Sequence, residues 1–297
     1  MAAFINPKTD FAFKKIFGSP QSHDILVSFL NAILYEGEPV IQSLTIIDPY
    51  QAPRIEGIKD SYLDVKAVLA GGKSVIIEMQ VLNVVGFKKR VLYNAAKAFS
   101  TQLEVGDDYA LLNPVIALTI TDFEMFEHSS QVISRYRLKE KDNLADYSDD
   151  IELVFAELPK FSKQADDLET LSDKWLYFLK EAERLAAVPT SLEQEPAIQS
   201  AFEVARQSRL TRAEMDILED QARVIHDSRN AALFSRAEGR AEGRAEGRAE
   251  GVKAGEKKAK IAIARSLLGR LSTAEISQIT DLDIDEIAQL QAPDVSD

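Results

Sequence analysis

Two short segments with strict period-two alternation constrain this chain more than any other feature. From Tyr62 to Leu69 the residues Leu63, Val65, Ala67 and Leu69 fall on one face, and from Ser74 to Val81 the residues Val75, Ile77, Met79 and Val81 do the same. Ala70-Gly71-Gly72 joins them and carries a hairpin-turn signal. With a three-residue loop, Leu69 pairs with Lys73. Asp64 then falls opposite Glu78, Lys66 opposite Ile76, and Tyr62 opposite Gln80. Asp64, Lys66, Glu78 and Gln80 would share one face, with the apolar set on the other. A two-residue loop would shift the register by one and separate the carboxylates. A glycine-containing bulged turn favours the longer loop.

Two carboxylates about 5 Å apart repel each other, and a hard divalent cation relieves that repulsion. Mg²⁺ takes oxygen ligands, commonly one or two carboxylates plus a substrate phosphate. It can activate a water and neutralise charge at phosphorus. Exposed Asp and Glu are also ordinary on the solvent face of a hairpin, so the pair alone leaves a plain surface open. Glu78 argues the other way, because it stands in the apolar run Val-Ile-Ile-Glu-Met-Gln-Val. A carboxylate in such a strand is costly unless paired or coordinated.

Around the hairpin, Ile25 to Leu34 reads as a buried helix with Ser22 as its N-cap, and Ile41 to Tyr50 as a strand ending at Asp-Pro. Gly86 to Glu104 carries helical spacing, and Pro114 to Ile120 is an apolar run of strand length. Two further strand-like pieces lie near Gln131 to Arg137 and Ile151 to Glu157. From Asp166 to Phe234 the pattern is helical, with Trp175 on a core stripe.

The charge balance, 35 Lys and Arg against 48 Asp and Glu for a net of −13, argues against a protein that coats DNA nonspecifically. It leaves room for a local basic groove. With no cysteine, disulfides and thiolate metal sites are excluded. His23, His128 and His226 show no metal-ligand spacing. No apolar run suits a signal peptide or a membrane helix, so a cytoplasmic location without membrane contact is expected.

Arg-Ala-Glu-Gly occurs four times without a break from Arg236 to Gly251. In a helix this places Arg over Arg and Glu over Glu, with a glycine in every turn, so alone it should be a poor helix. It is either a flexible tether or a helix stabilised by self-association, and helical flanks favour the second. A homo-oligomer through the C-terminal helical region is therefore expected. Met215 could start a short C-terminal product of the same gene. The last unit, Ile261 to Leu290, carries capping boxes at Ser272/Glu275 and Asp283/Glu286. Its acidic second helix suits a protein partner better than DNA.

Several stretches resemble the recombination-promoting, Rpn-type nucleases, also described as PD-(D/E)XK nuclease family transposases. They are Asp10-Phe-Ala-Phe-Lys-Lys-Ile-Phe-Gly18, Ile25 to Leu34, Leu63-Asp-Val65, Ile77-Glu-Met-Gln80, Lys89-Arg-Val-Leu-Tyr93 and Tyr109 to Ile116, in that order. The resemblance implies a restriction-endonuclease-like α/β fold, a mixed sheet flanked by helices, followed by an all-helical C-terminal region with the repeat. It implies a DNA endonuclease with Asp64 and Glu78 as ligands of Mg²⁺, or Mn²⁺ in its place, helped by the Met79 carbonyl. Gln80 stands where the wider superfamily has a catalytic lysine, as the resemblance to this particular family implies; glutamine can orient a water but cannot carry positive charge, so either the metal alone activates the nucleophile or a lysine elsewhere does. Lys66 is the first candidate to replace that lysine, and Lys14 or Lys15 the second. Lys14, Lys15, Lys88, Lys89 and Arg90 are candidate DNA contacts, although Lys88 to Arg90 could equally be a solvated helix face. The expected organisation is a nuclease core over 1–160, a helical region over 161–235, the repeat over 236–256 and a small helical unit over 257–297. The rival reading is a catalytically weak oligomeric assembly or regulatory protein on a nuclease-like scaffold.

Overall fold

The computed structural model describes residues 3–51 and 61–290. In chain order the elements are α1 (Asp10–Phe17), α2 (His23–Tyr35), β1 (Leu44–Ile47), β2 (Tyr50–Gln51), β3 (Ser61–Tyr62), β4 (Val65–Leu69), β5 (Ser74–Gln80) and α3 (Phe87–Ser100). Then come β6 (Val115–Thr121), β7 (Ile133–Lys139), β8 (Asp146–Glu157), α4 (Leu171–Glu181), α5 (Pro196–Ala205), α6 (Arg212–Leu267), α7 (Thr273–Thr280) and α8 (Ile284–Gln289).

Six strands form one mixed sheet in the order β1-β4-β5-β6-β8-β7. β5, β6 and β8 run parallel, and the remaining neighbours are antiparallel. The β4–β5 register is the one the alternation requires: Val65 faces Ile77, Lys66 faces Ile76 and Ala67 faces Val75. The Leu69 amide donates to the Lys73 carbonyl across the three-residue loop. Gly71 and Gly72 supply the loop's left-handed backbone, at φ of 93° and 89°. Tyr62 departs from the simple extension of this ladder. The chain bends at Asp64, and Tyr62 pairs with Tyr50 in a separate two-residue ladder.

The two faces of the sheet pack differently. Val65, Ala67, Val75, Ile77, Ile116, Leu118 and Val154 bury against helices α1, α2, α4 and α5 in the main core. Ile76, Val115 and Ala117 pack on Ala95 and Ala98 of α3 on the opposite face. Trp175 is fully buried and joins the helical layer. Its ring lies 5.8 Å from Phe17, 5.6 Å from Phe29 and 5.7 Å from Phe178, and its indole N–H donates to Ser28 Oγ at 3.1 Å. Ser22 does precede α2, but its hydroxyl lies 2.6 Å from Ser19 Oγ and makes no cap bond to the helix.

The chain divides into two compact units, 1–228 and 229–297, with the division inside α6. The segment from α4 to α5 thus shares one unit and one core with the sheet. In the second unit the four repeats are helical and exposed along their length. A small core of Ala264, Ile276, Leu282 and Ile287 closes that unit. Ser272 and Glu275 form a reciprocal capping box, whereas Asp283 occupies the cap position of α8 without a side-chain bond to it. Acidic residues here meet lysines of α6: Glu286 with Lys257 at 2.6 Å and Asp281 with Lys260 at 2.9 Å. Residues 291–297 of the expected terminal unit lie outside the described residues. Among the described residues, no helix is long and apolar enough to cross a membrane.

If α4 belongs to the core of the sheet unit, Trp175→Ala should cost about 3–5 kcal/mol and lower the melting of sheet and helices together. Chemical denaturation followed by far-UV circular dichroism and tyrosine fluorescence reads this, Trp175 being the chain's single tryptophan. Loss of helix signal with the sheet transition unmoved would contradict it.

Candidate active site

The bend at Asp64 and the end of β5 open into a cleft of about 760 Å³. Asp10, Asp64, Glu78, Met79, Gln80, Lys89, Arg90 and Asn94 are among its lining residues. The hairpin register supplies Asp64 and Glu78. The first turns of α3, opened by Gly86 at φ 82°, supply Lys89, Arg90 and Asn94. Helix α1 supplies Asp10. Gly18 ends that helix against Val65, where an added Cβ would lie 3.3 Å from Val65 Cγ2. That close approach sets α1 beside the start of β4.

Asp64 Oδ2 accepts a hydrogen bond from the Met79 amide at 2.6 Å. Its other oxygen lies 3.7 Å from Lys14 Nζ, which also pairs with Asp10 at 2.6 Å. Burial pushes the Asp64 carboxyl up to about 7, with the neighbouring Asp10 carboxyl adding to the rise. The Met79 amide and Lys14 oppose the shift without cancelling it. Glu78 is held differently. Arg90 Nη2 donates to its Oε1, and Asn94 Nδ2 approaches Oε2 at 3.5 Å. The same Arg90 nitrogen donates to Gln80 Oε1 at 2.5 Å, while Gln80 Nε2 donates to the Leu82 carbonyl at 2.7 Å.

The expected site residues are distributed unevenly. Asp64, Glu78, Met79, Gln80, Lys89 and Arg90 come together on the cleft, and Lys14 reaches it through Asp64. Lys66 lies opposite Ile76, further along the hairpin, and does not line the cleft. It is half-buried, and burial lowers its pKa. Lys15 pairs with Glu214 of α6 at 2.5 Å. Lys88 lines an adjoining recess with His128 and sits 4.9 Å over the Phe126 ring. Asp10 and Asn94 were not singled out from the sequence. Their signals were present as i,i+4 spacings, Asp10 to Lys14 and Arg90 to Asn94.

The donors at the cleft are carboxylate and amide oxygens, which suits a hard cation and not a thiolate- or imidazole-seeking one. Among the described residues no three His, Cys, Asp or Glu side chains gather in a metal-holding arrangement. A cation at the cleft would therefore rest on one or two carboxylates, as Mg²⁺ commonly does.

A mixed sheet flanked by helices, with acidic groups at a hairpin end opening into a cleft, fits an α/β nuclease fold. The chain belongs to the PD-(D/E)XK nuclease family transposases, whose family model matches residues 7–233. That family implies nuclease activity in general, and its members generally use divalent metals. No curated protein and no solved structure matches the chain.

The raised Asp64 pKa has a definite sign. The folded protein favours the protonated acid, so this stabilisation is complete below about pH 4 and is lost as pH rises through about 7. Without divalent cation, the stability of Asp64→Asn relative to wild type should rise by about 2–3 kcal/mol between pH 5 and pH 8.5. Thermal melts in EDTA read the difference, and a gap independent of pH would contradict the assignment.

Proposed function

We propose that this protein is a Mg²⁺-dependent DNA endonuclease with little sequence specificity, with Asp64 and Glu78 as its cation ligands. Mn²⁺ would substitute for Mg²⁺. The observation that carries the reading is the hairpin register, which sets two carboxylates of a nuclease-family chain on the wall of one cleft. A bound cation there would supply positive charge at the scissile phosphate. The protein's own cations serve the same end. Lys89 and Arg90 sit on the cleft, and Lys88 lies in the recess beside it, so phosphate meets a local basic rim on a chain of net charge −13. Asp64 must be ionised to take a cation, so cation binding should tighten as pH rises towards about 7. Breaks made this way would serve recombination, element mobility or defence.

Purified protein on supercoiled plasmid tests the proposal. Wild type should nick or linearise it in Mg²⁺, and EDTA, Asp64→Ala or Glu78→Ala should each reduce the rate by at least about 100-fold. Cleavage that persists in both variants, or folded wild type inactive with Mg²⁺ and Mn²⁺, would overturn it. The second result would favour the assembly reading.

A further inference from the structure

We propose that Arg90 is the cation that works in place of the missing motif lysine, and that it does so by exchange. It holds Glu78 and Gln80, and would move onto a substrate phosphate once Glu78 takes a divalent cation. This inference rests on the nuclease reading above.

Four observations carry it. First, one guanidinium nitrogen, Nη2, makes both contacts, to Glu78 and to Gln80. Arginine matches a single carboxylate or phosphate best with two parallel bonds, so this arrangement uses only part of its fork. Second, Arg90 Nε is buried and has no hydrogen-bond partner. An unmet donor on a charged group is costly, so the guanidinium gains from a partner with more acceptor oxygens. A phosphate is such a partner. Third, the side chain is 40% exposed on the cleft and lies 4.9 Å over the Phe87 ring. The ring gives it a face to slide on without losing its cation–π contact. Fourth, Gln80 is itself fixed. Its amide nitrogen is tied to the Leu82 carbonyl, so its oxygen is turned to Arg90.

The fourth point explains why glutamine occupies the lysine position. A lysine at 80 would meet the Arg90 guanidinium at contact distance and repel it. Glutamine seats the arginine instead, so Gln80 is a positioning residue and Arg90 supplies the charge. The exchange follows from the shared carboxylate. A divalent cation on Glu78 and the guanidinium on the same oxygen would be like charges in contact, so one displaces the other. Asn94 stays one turn further along α3 and keeps its approach to Glu78 Oε2.

The sign of one measurement separates exchange from a structural brace. Mn²⁺ binding to full-length protein is titrated by electron paramagnetic resonance for wild type, Glu78→Gln, Arg90→Gln and Arg90→Lys. Exchange predicts that Glu78→Gln weakens Mn²⁺ binding and that Arg90→Gln tightens it by roughly tenfold, because the competitor is gone. The same Arg90→Gln protein should bind a fluorescent DNA duplex more weakly than wild type in Ca²⁺ but about equally in EDTA. Arg90→Lys keeps the charge without the fork and should fall between the two. It carries the test should the glutamine variant melt far below wild type. Folded Arg90 variants that bind Mn²⁺ no tighter than wild type would overturn the exchange and leave the nuclease reading standing. Wild type that binds no Mn²⁺ would overturn both.

Discussion

The β4–β5 pairing brings Asp64 and Glu78 to one end of the hairpin, and the rest of the cleft is built around them. Val65 against Ile77 and Ala67 against Val75 bury one face of the hairpin in the main core. A slip by one residue would turn that apolar face to the other side of the sheet. The same pairing carries Asp64 up to the end of β5, where the Met79 amide captures its carboxylate. Packing thus fixes the register, and the register together with the bend at Asp64 delivers the acidic pair. Parallel β6 and β8 then extend β5 into a sheet covered on both faces, which keeps the hairpin end from fraying.

Charge at the cleft is balanced locally, although the chain as a whole is acidic. Lys14 sits between Asp10 and Asp64, and Arg90 sits on Glu78. These pairs offset the acidic groups of the cleft. They also place the basic groups within reach of whatever anion enters. Lys14 comes from α1 and Arg90 from α3, and these helices cover opposite faces of the sheet. The cleft is thus built across the sheet end, where side chains from both layers meet. Asp64 is the group left most exposed to this balance, because burial raises its pKa more than its amide bond and Lys14 lower it.

Period-two alternation and two glycines made the hairpin legible, since only one loop length keeps both apolar sets on the core face. The helices at 23–35 and 87–100 and the strand at 115–121 were legible for the same reason, as apolar spacing fixes element type. The side-chain partners were not. Asp10 meets Asp64 across α1 and the start of β4, which approach closely at Gly18 and Val65, a contact with no local signature. Lys66 shares a predicted face with Glu78, yet the bend at Asp64 opens the cleft beyond it, and Arg90 reaches Gln80 from another element. Caps failed at Ser22 and Asp283 because a capping residue type does not guarantee its bond: Ser22 has a nearer partner in Ser19. The segment from α4 to α5 read as a separate helical region, because amphipathic spacing shows that a face is buried without showing against what.

A divalent-cation site built on Asp64 and Glu78 by the register of one hairpin is open to direct observation. Crystals soaked in Mn²⁺ and measured at the manganese absorption edge test it most directly. An anomalous peak is expected in contact with carboxylate oxygens of both residues, with the Arg90 guanidinium displaced from Glu78. A peak elsewhere on the chain, or none with Arg90 still seated on Glu78, would contradict it.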